Sequence, residues 1–231
     1  MQPYFFPYLG YFSLIKHTDK FILLDMVQFI RHGWIERNRI LKHDGYWLYI
    51  KVPLIKTGRD VLIKDCLIDN GQNWKNRILS QMLTYKRIAP YYKGVIQLLE
   101  ELLSNRYQSI TDLNMNALQA VCNYLSIECN MTVFSEMMLE IDVPKHPDEW
   151  ALNICKAIGG VHEYWNPPGG VEIFDAAKYR QERIKLVFQK INIQSYNQKL
   201  GPFLPSLSIL DVMMFNSPRD VNRMLDNYQL I

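Results

Sequence analysis

The spacing of hydrophobic and polar residues changes several times along the chain, and each change predicts a different element. Apolar residues recur at near-helical spacing between Tyr8 and His17, which predicts a short helix. The continuous apolar run "KFILLD" that follows is typical of a strand buried on both faces of a parallel sheet. We therefore expect "MQP", which precedes the helix, to be the tail of an earlier strand.

Two β-like runs come next, "VQFIRHGWIERNRI" and "YWLYIKV". They are separated by "LKHDG", in which the Asp44-Gly45 pair is a strong signal for a hairpin turn. Further along, apolar residues three and four positions apart predict three helices between Asn73 and Ser126. Asn73 and Thr111 are the predicted N-caps of two of these helices.

Strands and helices alternate in the last part of the chain. Strands are predicted in "MTVFSE", "VHEYWNP" and "IKLVFQKI", and helices in "PDEWALNICKAIGG" and "EIFDAAKYRQER", with two short helices split at Pro218. This alternation is typical of an α/β fold. We predict a Rossmann-like, mostly parallel sheet with helices on both faces, plus a β-hairpin and a three-helix insertion.

These elements predict an organisation in three parts. Residues 1–72 would form the N-terminal half of an α/β domain with the hairpin, residues 73–128 a helical insertion, and residues 129–231 the C-terminal half. The pattern leaves open whether the insertion covers a site or forms a dimer surface.

The composition excludes several classes of protein. Apolar residues make up 48% of the chain and charged residues 21%, so a folded globular protein is expected. The net charge is only +3 and no basic run is present, so nucleic acid is not an expected partner. No apolar segment is long enough for a transmembrane helix, and the start lacks the features of a signal peptide, which predicts a cytoplasmic location.

Cysteine and histidine spacing gives no metal signature. The four cysteines and five histidines are dispersed, without the spacing of zinc or other metal ligands. We expect the cysteines to be buried, reduced thiols, and we predict no metal site. The sequence leaves the cofactor unknown.

The first stretch with candidate chemistry is "QPYFFPYLGY". In an open α/β sheet the loop between the first strand and the first helix lies at the edge where ligands bind. A helix N-terminus at that position favours an anion. We predict that Gln2 and Gly10 contact a substrate there, Gly10 because it permits close approach. The alternative is that the aromatic residues form only a packed edge.

The second stretch is "DMVQFIRHGWIERNRI", which is dense in hydrogen-bond donors. Asp25 ends a predicted strand and could act as a base or accept hydrogen bonds from sugar hydroxyls. Arginine in this context suits phosphate or carboxylate. Arg37 and Asn38, close to Trp34 in the sequence, are the better candidates for a site. A solvated hairpin face is the alternative, and it fits Arg31 and Glu36 better than Arg37 and Asn38.

Two later stretches give weaker signals. In "NPPGGVEIF", Gly169 and Gly170 could cradle a phosphate, but the Lys of a P-loop and the spacing of a dinucleotide fingerprint are missing. In "SYNQKLGPFLPSLSILD", Asp211 lies among apolar residues, where an unpartnered carboxylate would be costly to bury. It would either hold a neighbouring loop or face the site.

Taken together and in this order, several stretches resemble the WbqC-like protein family. They are "MQPYFFPYLGYFSLI", "DMVQF", "GWIERNRI", "ICKAIGG" with "NPPGG", and "FLPSLSILDVMMFN", spanning Met1 to Asn216. Members belong to bacterial O-antigen and surface-polysaccharide gene clusters, so the resemblance implies a protein that modifies or helps assemble an activated sugar. Met26 stands where the family often has a second acid, which departs from any mechanism that needs paired carboxylates there.

A weaker resemblance concerns the layout of the opening. It is similar to nucleotidyltransferases and pantoate-beta-alanine ligases, whose first loop carries a histidine motif before the first helix. Tyr11 stands where the second histidine of that motif would be, and no lysine loop of the KMSKS type is evident. The layout therefore favours a Rossmann-like fold more than adenylate chemistry.

The leading hypothesis is a group-transfer enzyme that acts on an activated, nucleotide-linked sugar or its acyl donor in polysaccharide biosynthesis. One alternative is a non-catalytic module that binds a glycan or a glycosyltransferase, and another is an ATP-dependent amide-forming ligase. A homodimer is left open. The predicted catalytic residues are Asp25, Gln28 and Arg37, and the predicted substrate-binding residues are Gln2, Gly10, Tyr11, Trp34, Asn38, Gly169, Gly170 and Asp211.

Overall fold

A computed structural model describes residues 1–231 and contains eight α-helices and seven strands. The helices are α1 (Leu9–Lys16), α2 (Trp74–Gln81), α3 (Tyr92–Ser104), α4 (Ile110–Tyr124), α5 (Glu149–Ile158), α6 (Ala176–Gln181), α7 (Ile209–Phe215) and α8 (Pro218–Leu225). The strands are β1 (Phe21–Leu23), β2 (Arg37–Leu41), β3 (Trp47–Lys51), β4 (Met131–Val133), β5 (Glu163–Asn166), β6 (Lys185–Ile191) and β7 (Tyr228–Leu230). No helix combines the length and the apolar character needed to cross a bilayer.

The strands form three small sheets, so the fold is mixed α/β. β1 pairs with β4 in parallel, β2 pairs with β3 antiparallel, and β6 lies between a parallel β5 and an antiparallel β7. The predicted Rossmann-like core is not confirmed, because the parallel strands form two separate pairs instead of one sheet. Local alternation of strands and helices predicted parallel pairing, but it could not indicate which strands share an edge.

The backbone of Met1 lies along the free edge of β1. Its amine donates to the carbonyl of Ile22 at 2.8 Å, and the amide of Leu24 donates to the carbonyl of Met1 at 2.7 Å. These two bonds bracket Leu23 in the pattern of a parallel neighbour. The first residue therefore occupies the position that the sequence predicted for the tail of a strand.

The predicted hairpin is confirmed. β2 and β3 pair from Arg37 opposite Lys51 to Leu41 opposite Trp47. Gly45 in the connecting turn has a φ of +82°, a backbone conformation that glycine adopts readily. The hairpin thus carries two faces of alternating side chains, one directed at the core and the other outward.

The three helices predicted between Asn73 and Ser126 are confirmed as α2, α3 and α4, although the capping was partly wrong. The N-cap of α4 is Ser109, whose Oγ accepts the amide of Asp112 at 3.0 Å. Thr111 lies two residues after Ser109, in the first turn of α4, and is buried. The later helices and strands also form where they were predicted, except that β7 was missed because three residues show no period.

One core unites the helical segment with both ends of the chain. Its 45 buried residues include Phe12 of α1, Ile40 of the hairpin, Leu99 of α3, Leu118 of α4 and Met213 of α7. Burial of so much apolar surface is the main contribution to stability. A second, smaller cluster lies between α5, α6 and β6 and is formed by Leu152, Cys155, Tyr179 and Ile184.

The opening segment passes through the middle of the large core as irregular chain. Its peptide groups have no strand partners there, and buried carbonyls need donors. Asn114 of α4 supplies two bonds, to the carbonyls of Pro3 at 2.7 Å and Ile35 at 2.9 Å. Asn38 of β2 supplies two more, to the carbonyls of Phe5 at 3.0 Å and Phe6 at 2.9 Å.

Hydroxyl and amide groups from other elements complete this set. Tyr11 donates its hydroxyl to the carbonyl of Gln2 at 2.7 Å, and Ser208 donates its Oγ to the carbonyl of Phe6 at 2.8 Å. The amide of Ile209 donates to the carbonyl of Pro7 at 2.9 Å. Residues 2–7 are therefore held in place by α1, α4, the hairpin and the start of α7.

We predict that Asn114→Ala lowers the free energy of unfolding by about 2–4 kcal/mol, since two buried carbonyls lose their donor. Asn116→Ala is the matched control on the same helix. That side chain is exposed and bonds only the preceding turn of α4, so a change within about 0.5 kcal/mol is expected. Urea unfolding followed by circular dichroism measures both. Equal effects of the two substitutions would contradict this role for Asn114.

Candidate functional site

The outward face of the hairpin carries two arginines and two aromatic rings. Period-two alternation turns Asn38 and Ile40 to the core and leaves Arg37 and Arg39 on the other face. The guanidinium of Arg37 lies 4.1 Å from the ring centre of Tyr49 and also donates to the backbone carbonyls of His32 and Gly33. Contacts within the protein therefore occupy much of the hydrogen-bonding capacity of Arg37.

Arg39 lies between two tryptophan rings. Its guanidinium carbon is 5.2 Å from the ring centre of Trp34 and 5.4 Å from that of Trp47, within the range of cation–π attraction. Its Nη2 is 3.5 Å from the carbonyl of Ser206, and its buried Nε has no partner. Because arginine stays charged at any pH a protein tolerates, this position is a fixed cation with unused donor capacity.

A cleft of about 290 Å³ opens beside Arg39, and we call it the aromatic cleft. It lies where the opening segment, the loop before β2 and the loop before α7 meet. Burial raises the pKa of both Tyr4 and Tyr8, so their phenols are neutral near pH 7. The cleft is lined by Tyr4, Pro7, Tyr8, Trp34, Asn38, Arg39 and Ser206.

The chemistry of this lining suits binding. Aromatic faces contact the apolar faces of a sugar or a base, neutral phenols exchange hydrogen bonds with hydroxyls, and a guanidinium binds phosphate or carboxylate. The lining contains no carboxylate, imidazole or thiol. A general base for a reaction in the cleft would therefore come from outside its walls.

Two of the predicted site residues, Trp34 and Asn38, line the aromatic cleft, and Arg37 is their neighbour on β2. The sequence-based site omitted Arg39, Tyr4 and Tyr8. The signal that could have found Arg39 is the alternation of β2, which places it on the same face as Arg37.

Gln2, Gly10 and Tyr11 act inside the fold. Tyr11 is 1% exposed and bonds the carbonyl of Gln2, as described above. A Cβ built on Gly10 would lie 2.5 Å from the hydroxyl of Tyr8, so glycine permits that tyrosine to lie across α1. Gly10 thus acts on the cleft through the position of Tyr8.

Asp25 lies two residues after the last residue of β1, close to the predicted strand end. Its side chain contacts the 3₁₀ turn Phe134–Glu136. The side chain is 1% exposed, and its two oxygens accept the amide of Ser135 at 3.0 Å and the hydroxyl of Ser135 at 2.6 Å. These contacts join the ends of the parallel pair β1 and β4. Its part in catalysis stays a prediction.

Gln28, Gly169 and Gly170 lie away from the walls of the aromatic cleft. Gln28 is exposed and donates to the carbonyl of Arg59 at 3.0 Å. Gly170 is buried in a 3₁₀ turn after β5, where an added Cβ would lie 2.3 Å from the amide nitrogen of Asn166. The requirement for glycine at position 170 is explained by packing.

Asp211 is fully buried at the start of α7 and has three side-chain donors. It accepts the hydroxyl of Tyr85 at 2.6 Å, the hydroxyl of Tyr196 at 2.6 Å and the amide of Gln198 at 2.8 Å. The hydroxyl of Tyr85 in turn accepts the amide of Leu41. The network connects α7 to the hairpin and to the loop before α7, which matches the alternative that Asp211 holds a neighbouring loop.

Burial raises the pKa of the Asp211 carboxyl, an effect that its three donors oppose. Burial, together with the nearby carboxylate, likewise raises the pKa of Tyr85 and Tyr196. Both phenols therefore stay protonated and remain donors at neutral pH. No three His, Cys, Asp or Glu side chains are close enough together to hold a metal ion.

Comparison with known proteins shows a match to one protein family. The chain matches the family described as the WbqC-like protein family over residues 2–223. Rv1507c, an uncharacterized protein of Mycobacterium tuberculosis, is 28% identical over 219 residues, which cover 94% of this chain and 91% of that protein. No solved structure matches the chain. The family match includes every residue that lines the aromatic cleft.

We predict that Asp25→Asn lowers the free energy of unfolding by about 1–3 kcal/mol. One of the two Asp25 oxygens that accept hydrogen bonds from Ser135 is then replaced by an NH₂ donor. Ser135→Ala removes the hydroxyl that donates to Asp25. If the pair acts as described, the double variant loses less than the sum of the single losses, by about 0.5 kcal/mol or more. Strict additivity in urea unfolding would show that the two side chains are not coupled.

The raised pKa of Asp211 predicts a pH effect with a defined sign. A carboxyl with a higher pKa in the folded chain favours folding when protonated. The free energy of unfolding of the wild type, relative to Asp211→Asn, should therefore fall as pH rises from the unfolded pKa of 3.8 through the folded value. Chemical unfolding of both proteins from about pH 4 to about pH 7 measures this difference. A difference that grows with pH would contradict the prediction.

Proposed function

The chain belongs to the WbqC-like protein family, and from this premise we propose that the aromatic cleft binds an activated, nucleotide-linked sugar or its acyl donor. The proposed activity is a group transfer that involves this ligand in O-antigen or other polysaccharide biosynthesis. The observation that carries the proposal is the position of Arg39 between Trp34 and Trp47 at the cleft.

Each part of the ligand has a matching group. The cation of Arg39 neutralises a phosphate, and its Nη groups, of which only Nη2 has a partner at 3.5 Å, supply the donors. The rings of Tyr4, Tyr8 and Trp34 provide faces for the sugar or the base. Because both tyrosines are held by the packed opening segment and α1, the cleft is organised before the ligand arrives, which lowers the entropic cost of binding.

The catalytic assignments from the sequence stay predictions. Asp25 remains the proposed base, Gln28 and Arg37 the proposed assisting groups, and Gln2, Gly169, Gly170 and Asp211 proposed contributors to substrate binding. For Asp25 to act, its carboxylate would have to exchange Ser135 for a ligand hydroxyl. A cytoplasmic location and a homodimer likewise stay predictions.

A second candidate function is a non-catalytic module that binds a glycan. The specific observation in its favour is exposure, because Trp34 is 38% and Trp47 is 42% exposed. These partly exposed indole rings, which flank Arg39, are available to stack on sugar rings. The amide-forming ligase rests only on the layout of the opening.

A thermal-shift panel tests the proposal. Nucleotide sugars, acyl-CoA donors, ATP with Mg²⁺ and oligosaccharides are compared, and a true ligand at about a hundred times its Kd should add about 2.7 kcal/mol of apparent stability. We predict a shift with one nucleotide-linked donor that is lost in Arg39→Ala and reduced in Trp34→Ala. Arg87→Ala is the control, since that arginine is exposed and outside the cleft.

Mass spectrometry of donor and acceptor mixtures then distinguishes transfer from binding. A donor shift with no transferred product would favour the binding module. A donor shift that survives Arg39→Ala would place the ligand elsewhere. Shifts with oligosaccharides alone, lost in Trp34→Ala, would favour the glycan-binding module as well.

A further inference from the structure

A second cleft lies beside Glu36, the residue that precedes β2. It has a volume of about 210 Å³ and is bounded by the loop before β2, the end of β3 and the segment after β3. We call it the cationic cleft because three of its lining residues, Arg31, Lys51 and Lys56, are basic, whereas Glu36 is its one acidic residue. None of its residues lines the aromatic cleft.

Glu36 is the most buried charged residue of this cleft and has an unused acceptor. It is only 3% exposed, so the solvated hairpin face that the sequence favoured for it is wrong. Oε1 accepts the backbone amide of His32 at 2.9 Å, whereas Oε2 is buried and has no hydrogen-bond partner. A buried carboxylate oxygen without a donor is unfavourable. The position is therefore suited to a donor that enters through the cleft.

The basic residues around the cleft have positive charges and N–H donors without partners in the chain. Lys51 and Lys56 are exposed, and neither forms an ion pair with a carboxylate of the chain. Arg31 donates one Nη to the carbonyl of Thr57 at 2.6 Å, which leaves its remaining N–H groups free. Three cations against one carboxylate attract an anion into the cleft.

We propose that the cationic cleft is a binding site for a phosphorylated polyol of the sugar-phosphate class. A hydroxyl of the ligand donates to Oε2 of Glu36, and its phosphate lies against Arg31, Lys51 and Lys56. A hydroxyl donor and a phosphate on one small molecule satisfy both the buried acceptor and the unpaired cations. The proposal is independent of the function of the aromatic cleft, because the two clefts have separate walls.

The one thiol in this cleft does not provide a competing anion. Cys66 is 2% exposed, and burial, with Asp65 and Glu36 nearby, raises its pKa to about 11. The thiol is therefore protonated near pH 7 and is a poor nucleophile. The site is built to bind, with Glu36 as the group that distinguishes a sugar phosphate from phosphate alone.

Isothermal titration with glucose 1-phosphate, glucose and inorganic phosphate tests the site. Glucose 1-phosphate should bind more tightly than phosphate, by about tenfold, because the charged acceptor adds one hydrogen bond. The double variant with Lys51→Ala and Lys56→Ala should bind both glucose 1-phosphate and inorganic phosphate more weakly, by about tenfold or more. Lys190→Ala, an exposed strand lysine without an ion pair, is the control and should change neither affinity.

Glu36→Gln separates the two halves of the proposal. The glutamine oxygen keeps the bond to His32, and its NH₂ replaces the unpartnered Oε2. Glucose 1-phosphate should then lose its advantage over phosphate, while phosphate binds at least as tightly, because a repelling charge is removed.

Three results would overturn the proposal. One is that Glu36→Gln leaves the ratio of the affinities for glucose 1-phosphate and inorganic phosphate unchanged, which would mean that water satisfies Oε2. Another is binding that survives the double lysine variant. The last is no binding of glucose 1-phosphate to the wild type. If Glu36→Gln fails to fold, the double variant at Lys51 and Lys56 still tests the proposal, because that variant must lose binding of glucose 1-phosphate.

Discussion

The structure depends on satisfying the carbonyls of an irregular segment buried in the core. Residues 2–7 belong to no β-ladder, so most of their carbonyls accept hydrogen bonds from side chains. Asn38, Asn114, Tyr11 and Ser208 are these donors, and they come from β2, α4, α1 and the start of α7. One set of hydrogen bonds therefore fixes the relative positions of elements that are far apart in sequence.

This constraint divides the aromatic residues of the opening between two roles. Phe5 and Phe6 are fully buried and belong to the core, whereas Tyr4 and Tyr8 are half-buried and line the aromatic cleft. Asp211 applies the same principle in α7, where one buried acceptor gathers three donors. Buried polar groups thus specify the arrangement, while apolar burial supplies most of the stability.

The two clefts differ in the kind of group that remains unsatisfied. The aromatic cleft has a fixed cation, Arg39, with a free buried donor, and the cationic cleft has Glu36 with a free buried acceptor. Both side chains are placed by the same short stretch of chain that enters β2. The stretch "GWIERNRI" therefore contributes to two clefts with different chemistry, because Glu36 and Arg39 point to different sides of the hairpin.

The sequence by itself determined the local elements, since helix spacing, the Asp44-Gly45 turn and the proline at position 218 act over a few residues. It also predicted Trp34 and Asn38 as substrate-binding residues, and both line the aromatic cleft. Only the tertiary structure decided which strands pair, that Asp25 meets Ser135, and that Arg39 lies between two tryptophans. These contacts join residues that no periodic pattern connects, because they are set by how distant elements pack and by which buried groups need partners.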